Sequence, residues 1–300
     1  MTGPEIPTYA LPAWVRALRP WQWVKNLLLI VPLVLAHRVF EPALALRAVV
    51  AIAAFSLVAS AGYVLNDLRD ADADRLHPRK RFRPFASGEL SAGAGRVLAA
   101  VSAAGGVALA AALLPKPFLV ALLSYFAASL TYSAVLKAIP LLDVLGLAGL
   151  YTLRLFAGGL AVDVPVSTWL FAFSMFLFLS LAVVKRYSEL TLVHDRDGSE
   201  APGRGYRTQD RRVLGPIGIA SGFLAVLVLA LYVTGEDVRA LYRRPEMLLL
   251  ICPPLLYWIA RLWLLAGRGE LHDDPVLFTL RDPASWAVGA VAAAVLVVSV

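Results

Sequence analysis

The sequence predicts an all-α integral membrane protein, a bundle of nine transmembrane helices, and three observations carry that prediction. Hydrophobic residues make up 59% of the 300 positions and charged residues only 16%, with a mean hydropathy of +0.71. A soluble chain carries about 45–50% apolar and about 25% charged residues, so a water-soluble fold of this length has too little interior to hide the excess. Apolar stretches recur at the ~20 residues that a helix needs to cross a hydrocarbon core roughly 30 Å thick. Lysine and arginine, finally, gather in alternate connecting segments, as they do in polytopic membrane proteins.

Nine spans are expected, at 21–40, 44–66, 92–114, 117–136, 141–161, 166–187, 213–234, 246–266 and 284–300. The first carries Pro32 and the eighth Pro253-Pro254. Membrane helices tolerate such prolines where neighbours re-satisfy the freed backbone groups. The first stretch does not read as a signal peptide, because about twenty mixed residues with four prolines precede it and no small-residue cleavage site follows. One polytopic domain over 1–300 is expected, with a cytoplasmic segment at 1–20 and long cytoplasmic loops at 67–91 and 185–212.

The first loop holds Arg69, Arg75, Arg79, Lys80, Arg81 and Arg83, and the second Lys185, Arg186, Arg196, Arg204, Arg207, Arg211 and Arg212. Lys116 stands alone near 115–117, and only Arg239, Arg243 and Arg244 at 235–245 run against the trend. The positive-inside rule therefore puts the N-terminus and both basic loops in the cytoplasm, and nine spans put the C-terminus outside. The net charge of +7 is thus a topology signal first and a hint of anionic ligands second. Cys252 is the single cysteine, so there is neither a disulfide framework nor a thiol metal site. His37, His77, His194 and His272 show no metal-ligand spacing. Each long loop follows the second helix of a half, which indicates a weak internal duplication. His194–Asp210, rich in glycine and charge, reads as a mobile loop.

The second span ends in Asn66-Asp67-Leu-Arg-Asp70-Ala-Asp-Ala-Asp74. Spacings of i, i+3 and i+7 put Asp67, Asp70 and Asp74 on one helical face, where like charges oppose one another by ~0.2–0.5 kcal/mol per pair. Desolvation at the membrane surface makes that repulsion worse. A cation on that face relieves it. Hard oxygen ligands suit Mg²⁺, which keeps several waters and is shared with substrate phosphates. The plainer alternative is that Arg69, Arg75 and Arg79 neutralise the aspartates in a surface network.

The pattern continues to Arg83-Pro84-Phe-Ala-Ser87-Gly88. With Asn66, Asp67, Asp70 and Asp74, it resembles the first motif of the UbiA superfamily of intramembrane prenyltransferases, N-D-x-x-D-x-x-x-D followed by R-P-x-x-S-G. The resemblance implies a helical bundle around a central cavity that opens to lipid and is capped by the cytoplasmic loops. It also implies that Asp67, Asp70 and Asp74 bind Mg²⁺ and a substrate diphosphate. Typical members carry a second motif, D-x-x-x-D, after the sixth helix, whereas this chain reads Lys185-Arg186-Tyr187-Ser-Glu189 there, with Asp195 and Asp197 at the wrong spacing. Exchanging carboxylates for two cations adds direct anion-binding capacity, Arg in particular gripping phosphate bidentately. A donor with a metal-bound diphosphate and a separate phosphate monoester needs that arrangement, and phosphoribosyl pyrophosphate is such a donor.

The rest of the chain closely resembles the decaprenyl-phosphate phosphoribosyltransferase branch of the superfamily. The similarity rests on Arg19-Pro-Trp-Gln-Trp-Val-Lys25-Asn26, Tyr132-Ser-Ala-Val-Leu-Lys137 with Asp143 after it, Arg154 in its Leu-Arg-Leu-Phe-Ala-Gly-Gly setting, and the Lys185–Glu189 stretch. It implies transfer of 5-phosphoribose to a polyprenyl (decaprenyl) phosphate for cell-wall arabinan synthesis, at the cell membrane and with the site facing the cytoplasm. The rival readings are an aromatic polyprenyltransferase, which requires the missing second acidic motif, and a transporter or scaffold without turnover.

The similarity also implies substrate contacts for Lys25, Asn26, Arg19, Lys80, Arg83, Tyr132, Lys137, Arg154, Lys185, Arg186, Tyr187 and Glu189, with Asn66 orienting a ligand. Lysines at span ends otherwise snorkel to headgroups, and Tyr132 and Tyr187 are otherwise interfacial aromatics, as Trp14, Trp21 and Trp23 are. Arg154 lies deep in the fifth span, where an arginine faces either a polar cavity or a partner on another helix. Asp143 sits on nearly the same face but three turns away, out of direct reach. The expected partners are the bilayer, phosphoribosyl pyrophosphate and polyprenyl phosphate, without nucleic acid; association of copies stays open.

Overall fold

The computed structural model describes residues 11–76, 80–194, 205–235, 238, 241–271 and 274–300. His77, Arg79, Asp195, Arg196, Asp197, Arg204, Arg239 and His272, together with most of the loop expected to be mobile, lie outside the described residues. Every regular element among those described is helical. In chain order they are α1 (Ala13–Leu18), a 3₁₀ segment (Pro20–Ile30), α2 (Val31–Leu35), α3 (Pro42–Arg75), α4 (Ala92–Leu113), α5 (Lys116–Ala134), α6 (Leu142–Val162), α7 (Thr168–His194), α8 (Arg211–Val233), α9 (Cys252–Gly267), α10 (Pro275–Thr279) and α11 (Pro283–Ser299). Short 3₁₀ turns at Lys80–Phe82, Leu136–Ala138, Thr208–Asp210 and Pro245–Ile251 join them.

Among the described residues, seven helices are long and apolar enough to cross a membrane, as in a multi-pass membrane protein. The expected count of nine is not reproduced exactly, the first and last stretches differing from the seven. The first stretch is not one α-helix. It winds as 3₁₀ for eleven residues and turns α only at Val31, with Pro32 in the first α-turn. Proline at a helix start lacks only an amide that has no partner there anyway, so Pro20 and Pro32 each begin a helical piece. The last helix, Pro283–Ser299, is a shorter apolar helix of 17 residues, at the lower end of the length that crosses a membrane. Pro253 and Pro254 likewise occupy the first turn of α9 rather than a helix interior, so no ladder bond has to be re-satisfied.

The chain divides into two compact units, 1–133 with 153–165 and 134–152 with 166–300, and the division falls inside α6. In the first, α3 packs along α4. A small core of Ala17, Ala61, Val64, Phe85 and Ala99 ties α1 and the turn after α3 to that pair. The 3₁₀ segment lies backbone to backbone on the C-terminal half of α6. A Cβ on Gly158 would sit 2.1 Å from the carbonyl oxygen of Leu29, so only glycine permits this approach.

α3 has 34 residues, about 51 Å at 1.5 Å each, against a core of roughly 30 Å. Its aspartate-bearing last turns therefore run beyond its apolar length. In the second unit α7 pairs with α8 and α9 packs on both. Trp263 Nε1 donates to Ser180 Oγ at 3.1 Å, and Trp258 Nε1 to Ser285 Oγ at 2.8 Å.

Candidate active site

In the first unit, the last two turns of α3 carry Asp67, Asp70 and Asp74. Asp67 and Asp74 are buried, at 2% and 4% exposure, and Asn66 and Asp70 are half-buried. Their counter-charges come from far along the chain. Arg19 Nη2 reaches both carboxylate oxygens of Asp67, at 2.5 and 2.8 Å. Arg83 Nη1 donates to Asp67 Oδ1 at 3.1 Å and to Asp74 Oδ2 at 2.6 Å. Among the described residues, Arg75 pairs with Asp72 at 2.6 Å and Arg69 reaches the carbonyl of Ser133 at 3.4 Å, while Arg79 lies outside them.

Local backbone explains how the two arginines arrive. α1 ends on Arg19 in the left-handed region, φ 53°, a conformation that costs a non-glycine residue ~1–3 kcal/mol and that clusters at functional sites. Tyr63 carries the Arg19 guanidinium over its ring at 5.7 Å. Arg83 is set by the turn that follows α3, where the Ser87 amide bonds the Arg83 carbonyl at 2.8 Å and Gly88 takes φ 83°. α1 is fastened to the same turn. Buried Arg16 pairs with Glu89, and Ser87 Oγ donates to Glu89 at 3.1 Å. The Arg16 guanidinium holds the Glu89 carboxyl below the usual carboxylate range, outweighing the upward push of burial. Glu89 and Arg16 had no motif to mark them.

These residues fit a divalent cation. Asp67 and Asp74 converge on one positively charged atom, Arg83 Nη1, so a single small cation lies within reach of both carboxylates, and the donors are hard oxygens. Among the described residues no group of three or more histidines, cysteines or acids is placed to hold a metal ion, so the protein itself offers the Asp67–Asp74 pair. That suits an ion that takes its remaining ligands from water and phosphate. Lys80, in the 3₁₀ turn after α3, and Tyr132, near the end of α5, are both half-buried.

Deeper in this unit, Arg154 is 5% exposed and pairs across helices. Its Nε donates to Asn26 Oδ1 at 3.1 Å and its Nη2 to the Tyr125 hydroxyl at 2.6 Å. Asn26 Nδ2 in turn donates to Ser56 Oγ at 2.9 Å. The guanidinium also stands over the rings of Tyr125 and Phe55, at 4.7 and 5.8 Å. Lys25, next to Asn26, is 8% exposed. Sequence reasoning found Asn26 and Arg154 separately; Ser56 and Tyr125, unremarkable as span residues, connect them.

In the second unit, Lys185 and Arg186 on α7 each have carboxylate partners. Lys185 Nζ donates to Asp274 at 2.8 Å. Arg186, 1% exposed, is held by Asp143 at the start of α6, with Nη2 to Oδ1 at 3.0 Å, and by Glu189 one turn on. Asp143 is fully buried, and a buried cation needs such a counter-charge to offset its desolvation. Tyr206 closes this cluster, its hydroxyl accepting from the Leu141 amide at 2.8 Å. Burial raises the Tyr206 pKa, and the Leu141 bond opposes that only in part. Tyr187 presents its ring edge-on to Trp263 at 5.5 Å, and Lys137 is half-buried in its 3₁₀ turn. Asp274, which also caps α10 through the Val276 amide at 3.1 Å, gave no signal in the sequence.

Residues 27–281 match the UbiA prenyltransferase family. The chain is 37% identical to the uncharacterized protein y4nM of Sinorhizobium fredii, over 95% of its own length and 55% of that relative's. It is also 37% identical to the nodulation protein NoeC of Azorhizobium caulinodans, over 91% of this chain and 88% of NoeC. To the decaprenyl-phosphate phosphoribosyltransferase of Corynebacterium glutamicum it is 36% identical over 62% of this chain and 57% of that enzyme. It therefore spans little more than half the length of the first and third of these relatives. In fold it is similar to a UbiA homolog from Archaeoglobus fulgidus solved with DMAPP and Mg²⁺, with a TM-score of 0.71, 20% identity, and 95% and 99% of the two chains covered.

Proposed function

Because this chain belongs to the UbiA prenyltransferase family, we propose that it is a Mg²⁺-dependent membrane phosphoribosyltransferase. It transfers the 5-phosphoribosyl group from phosphoribosyl pyrophosphate to a polyprenyl (decaprenyl) phosphate, releasing diphosphate, as a step towards a cell-wall precursor. The observation that carries this reading is Arg186. At the point on α7 where the family's second acidic motif stands, the carboxylates of Asp143 and Glu189 close on a guanidinium of the chain itself. A built-in cation there takes the place of further metal ions and leaves one acidic cluster for one diphosphate. The likeness to enzymes named decaprenyl-phosphate phosphoribosyltransferase supports the same choice of donor.

Asp67, Asp70 and Asp74 would hold Mg²⁺, which when bound supplies charge neutralisation for the departing diphosphate. Asn66 orients a ligand beside them. Arg19 and Arg83 bring guanidinium donors to the same carboxylate face, and that geometry suits diphosphate oxygens as well as carboxylates. Lys25, Lys80 and Lys137 add positive charge that steers anions. In the reaction the C1–oxygen bond to diphosphate breaks, and a bond forms from C1 to an oxygen of the lipid phosphate. That oxygen is already anionic near neutral pH, so no strong general base is needed. The rate then comes from positioning and preorganised charge in a water-poor site. The site faces the cytoplasm of the cell membrane, following the asymmetry of lysines and arginines.

The test supplies purified protein with radiolabelled phosphoribosyl pyrophosphate, Mg²⁺ and polyprenyl phosphate. Label is expected in the lipid phase, and Asp67→Ala is expected to abolish it in a folded protein. Prenyl transfer to an aromatic acceptor without lipid-linked ribose phosphate would overturn the reading.

A further inference from the structure

We infer that a cavity at the start of α8, lined by Tyr187, Thr208, Gln209, Arg211 and Arg212, is a binding site for a phosphate monoester. It lies wholly within the second unit and encloses about 320 Å³. Small-molecule pockets run from ~300 to 1,000 Å³, so this one suits a sugar phosphate or a phosphate headgroup and not a long apolar chain.

Its chemistry is that of an anion site. None of the five lining residues is acidic, and two carry guanidinium groups. Among the described residues, Arg211 bonds only neutral oxygens, the Thr208 carbonyl at 3.2 Å and Thr191 Oγ1 at 3.4 Å, and Arg212 has no carboxylate partner. This sets them apart from Lys185 and Arg186, the residues just before Tyr187, whose charges are already matched by Asp274, Asp143 and Glu189. The nearest acid in sequence, Asp210, accepts from the Arg207 amide at 2.8 Å and so is engaged in its own turn.

The helix adds to this field. α8 runs for 23 residues directly after the Thr208–Asp210 turn, and this N-terminal end contributes roughly half a positive charge. A phosphate monoester carries about −1.5 to −2 charge near pH 7 and three strong acceptor oxygens. Two guanidiniums, the Thr208 hydroxyl, the Gln209 amide and the Tyr187 phenol are complementary donors. The Tyr187 ring, packed edge-on to Trp263, forms one wall. Arg211 and Arg212, which the sequence offers only as topology signals, thus take the anion-gripping duty that the Lys185-Arg186 pair seemed to promise.

Which molecule brings the phosphate rests on the proposed function: phosphoribosyl pyrophosphate offers one at C5, and polyprenyl phosphate offers its headgroup. The experiment is calorimetric titration of the full chain in detergent with ribose 5-phosphate, with ribose, and with a short-chain polyprenyl phosphate. Wild type is compared with R212Q, R211Q and the double variant. Ribose 5-phosphate is expected to bind and ribose not to. Each substitution is expected to weaken ribose 5-phosphate about tenfold or more, as loss of a charge-assisted hydrogen bond implies, while Mg²⁺-diphosphate binding is unchanged. R212Q alters an exposed side chain, so it keeps the test decisive if Arg211 variants misfold.

A loss confined to polyprenyl phosphate also upholds the site and assigns it to the acceptor. The site is refuted if R212Q and the double variant bind both phosphates as wild type does, whatever the transfer assay gives. If the wild type binds polyprenyl phosphate here but never ribose 5-phosphate, the site stands as an acceptor site, and the transfer assay alone decides the phosphoribosyl reading.

Discussion

Replacing Asp143 by alanine removes the buried half of the ion pair that holds α6 to α7 in the second unit. The perturbation is severe because of where the charges lie: Asp143 is 0% and Arg186 1% exposed, and two hydrogen bonds join them. Glu189 remains beside Arg186, but its side chain is 39% exposed and shared with solvent. Removing one partner of a buried pair costs ~3–5 kcal/mol, because the other charge stays desolvated. Two charge-assisted hydrogen bonds at ~1.5–3 kcal/mol each give the same range.

At ~2–4 °C per kcal/mol for a sizeable domain, the thermal midpoint in detergent should fall by on the order of 10 °C. Substituting both residues, as Asp143→Ala with Arg186→Met, exchanges the pair for uncharged groups. That double variant should recover most of the loss, since such exchanges are often near neutral. The measurement is a double-mutant cycle of unfolding midpoints. A fall of less than about 2 °C for Asp143→Ala, or a double variant no more stable than the single one, would refute the argument that an uncompensated Arg186 drives the loss.

Three further outcomes are expected. Gly158→Ala places a Cβ 2.1 Å from the Leu29 carbonyl oxygen, a backbone atom that cannot rotate away. Overpacking there should cost about 3 kcal/mol or more, read as a lower midpoint and faster proteolysis near Pro20–Ile30, and a variant of wild-type stability would show that the two backbones separate freely. Arg83→Gln removes the cation shared by Asp67 and Asp74. Mn²⁺ binding without diphosphate, followed by electron paramagnetic resonance, should tighten several-fold, and unchanged or weaker binding would count against a shared metal position.

The last concerns Asp282, which caps α11 and is bound by Arg261 at 2.7 and 2.8 Å. Burial pushes its pKa up, but the Arg261 ion pair and the Ser285 hydroxyl and amide outweigh that and hold it below the usual carboxylate range. The stabilisation is therefore complete above about pH 4 and is lost as pH falls through the folded value. Asp282→Ala should lower stability by about 2–4 kcal/mol at pH 7 and flatten the acid limb of the stability curve; an unchanged limb would remove Asp282 from that transition.

The sequence by itself determined the membrane class, the places where the chain crosses and the aspartate face of α3. Each of these depends on local quantities: apolar run length, helical period and the spacing of like charges within two turns. How the first stretch winds was beyond it, because Pro20 and Pro32 and a backbone contact at Gly158 decide that, and contact with a distant helix is not a local property. Only the tertiary structure decided which charges meet. Arg19 and Arg83 lie 48 and 16 residues from Asp67 in sequence, and Asp143 lies 43 from Arg186.

Spacing along a helix can show that three carboxylates share a face and need a cation, but it cannot say which residue supplies it, since that depends on where the chain returns. For the same reason the sequence could not show that Lys185 and Arg186 take carboxylate partners of their own, which is what led us to propose Arg211 and Arg212 as an anion grip. Burial forces Arg186 to take carboxylate partners, while the start of α8 leaves two guanidiniums facing a cavity without acids.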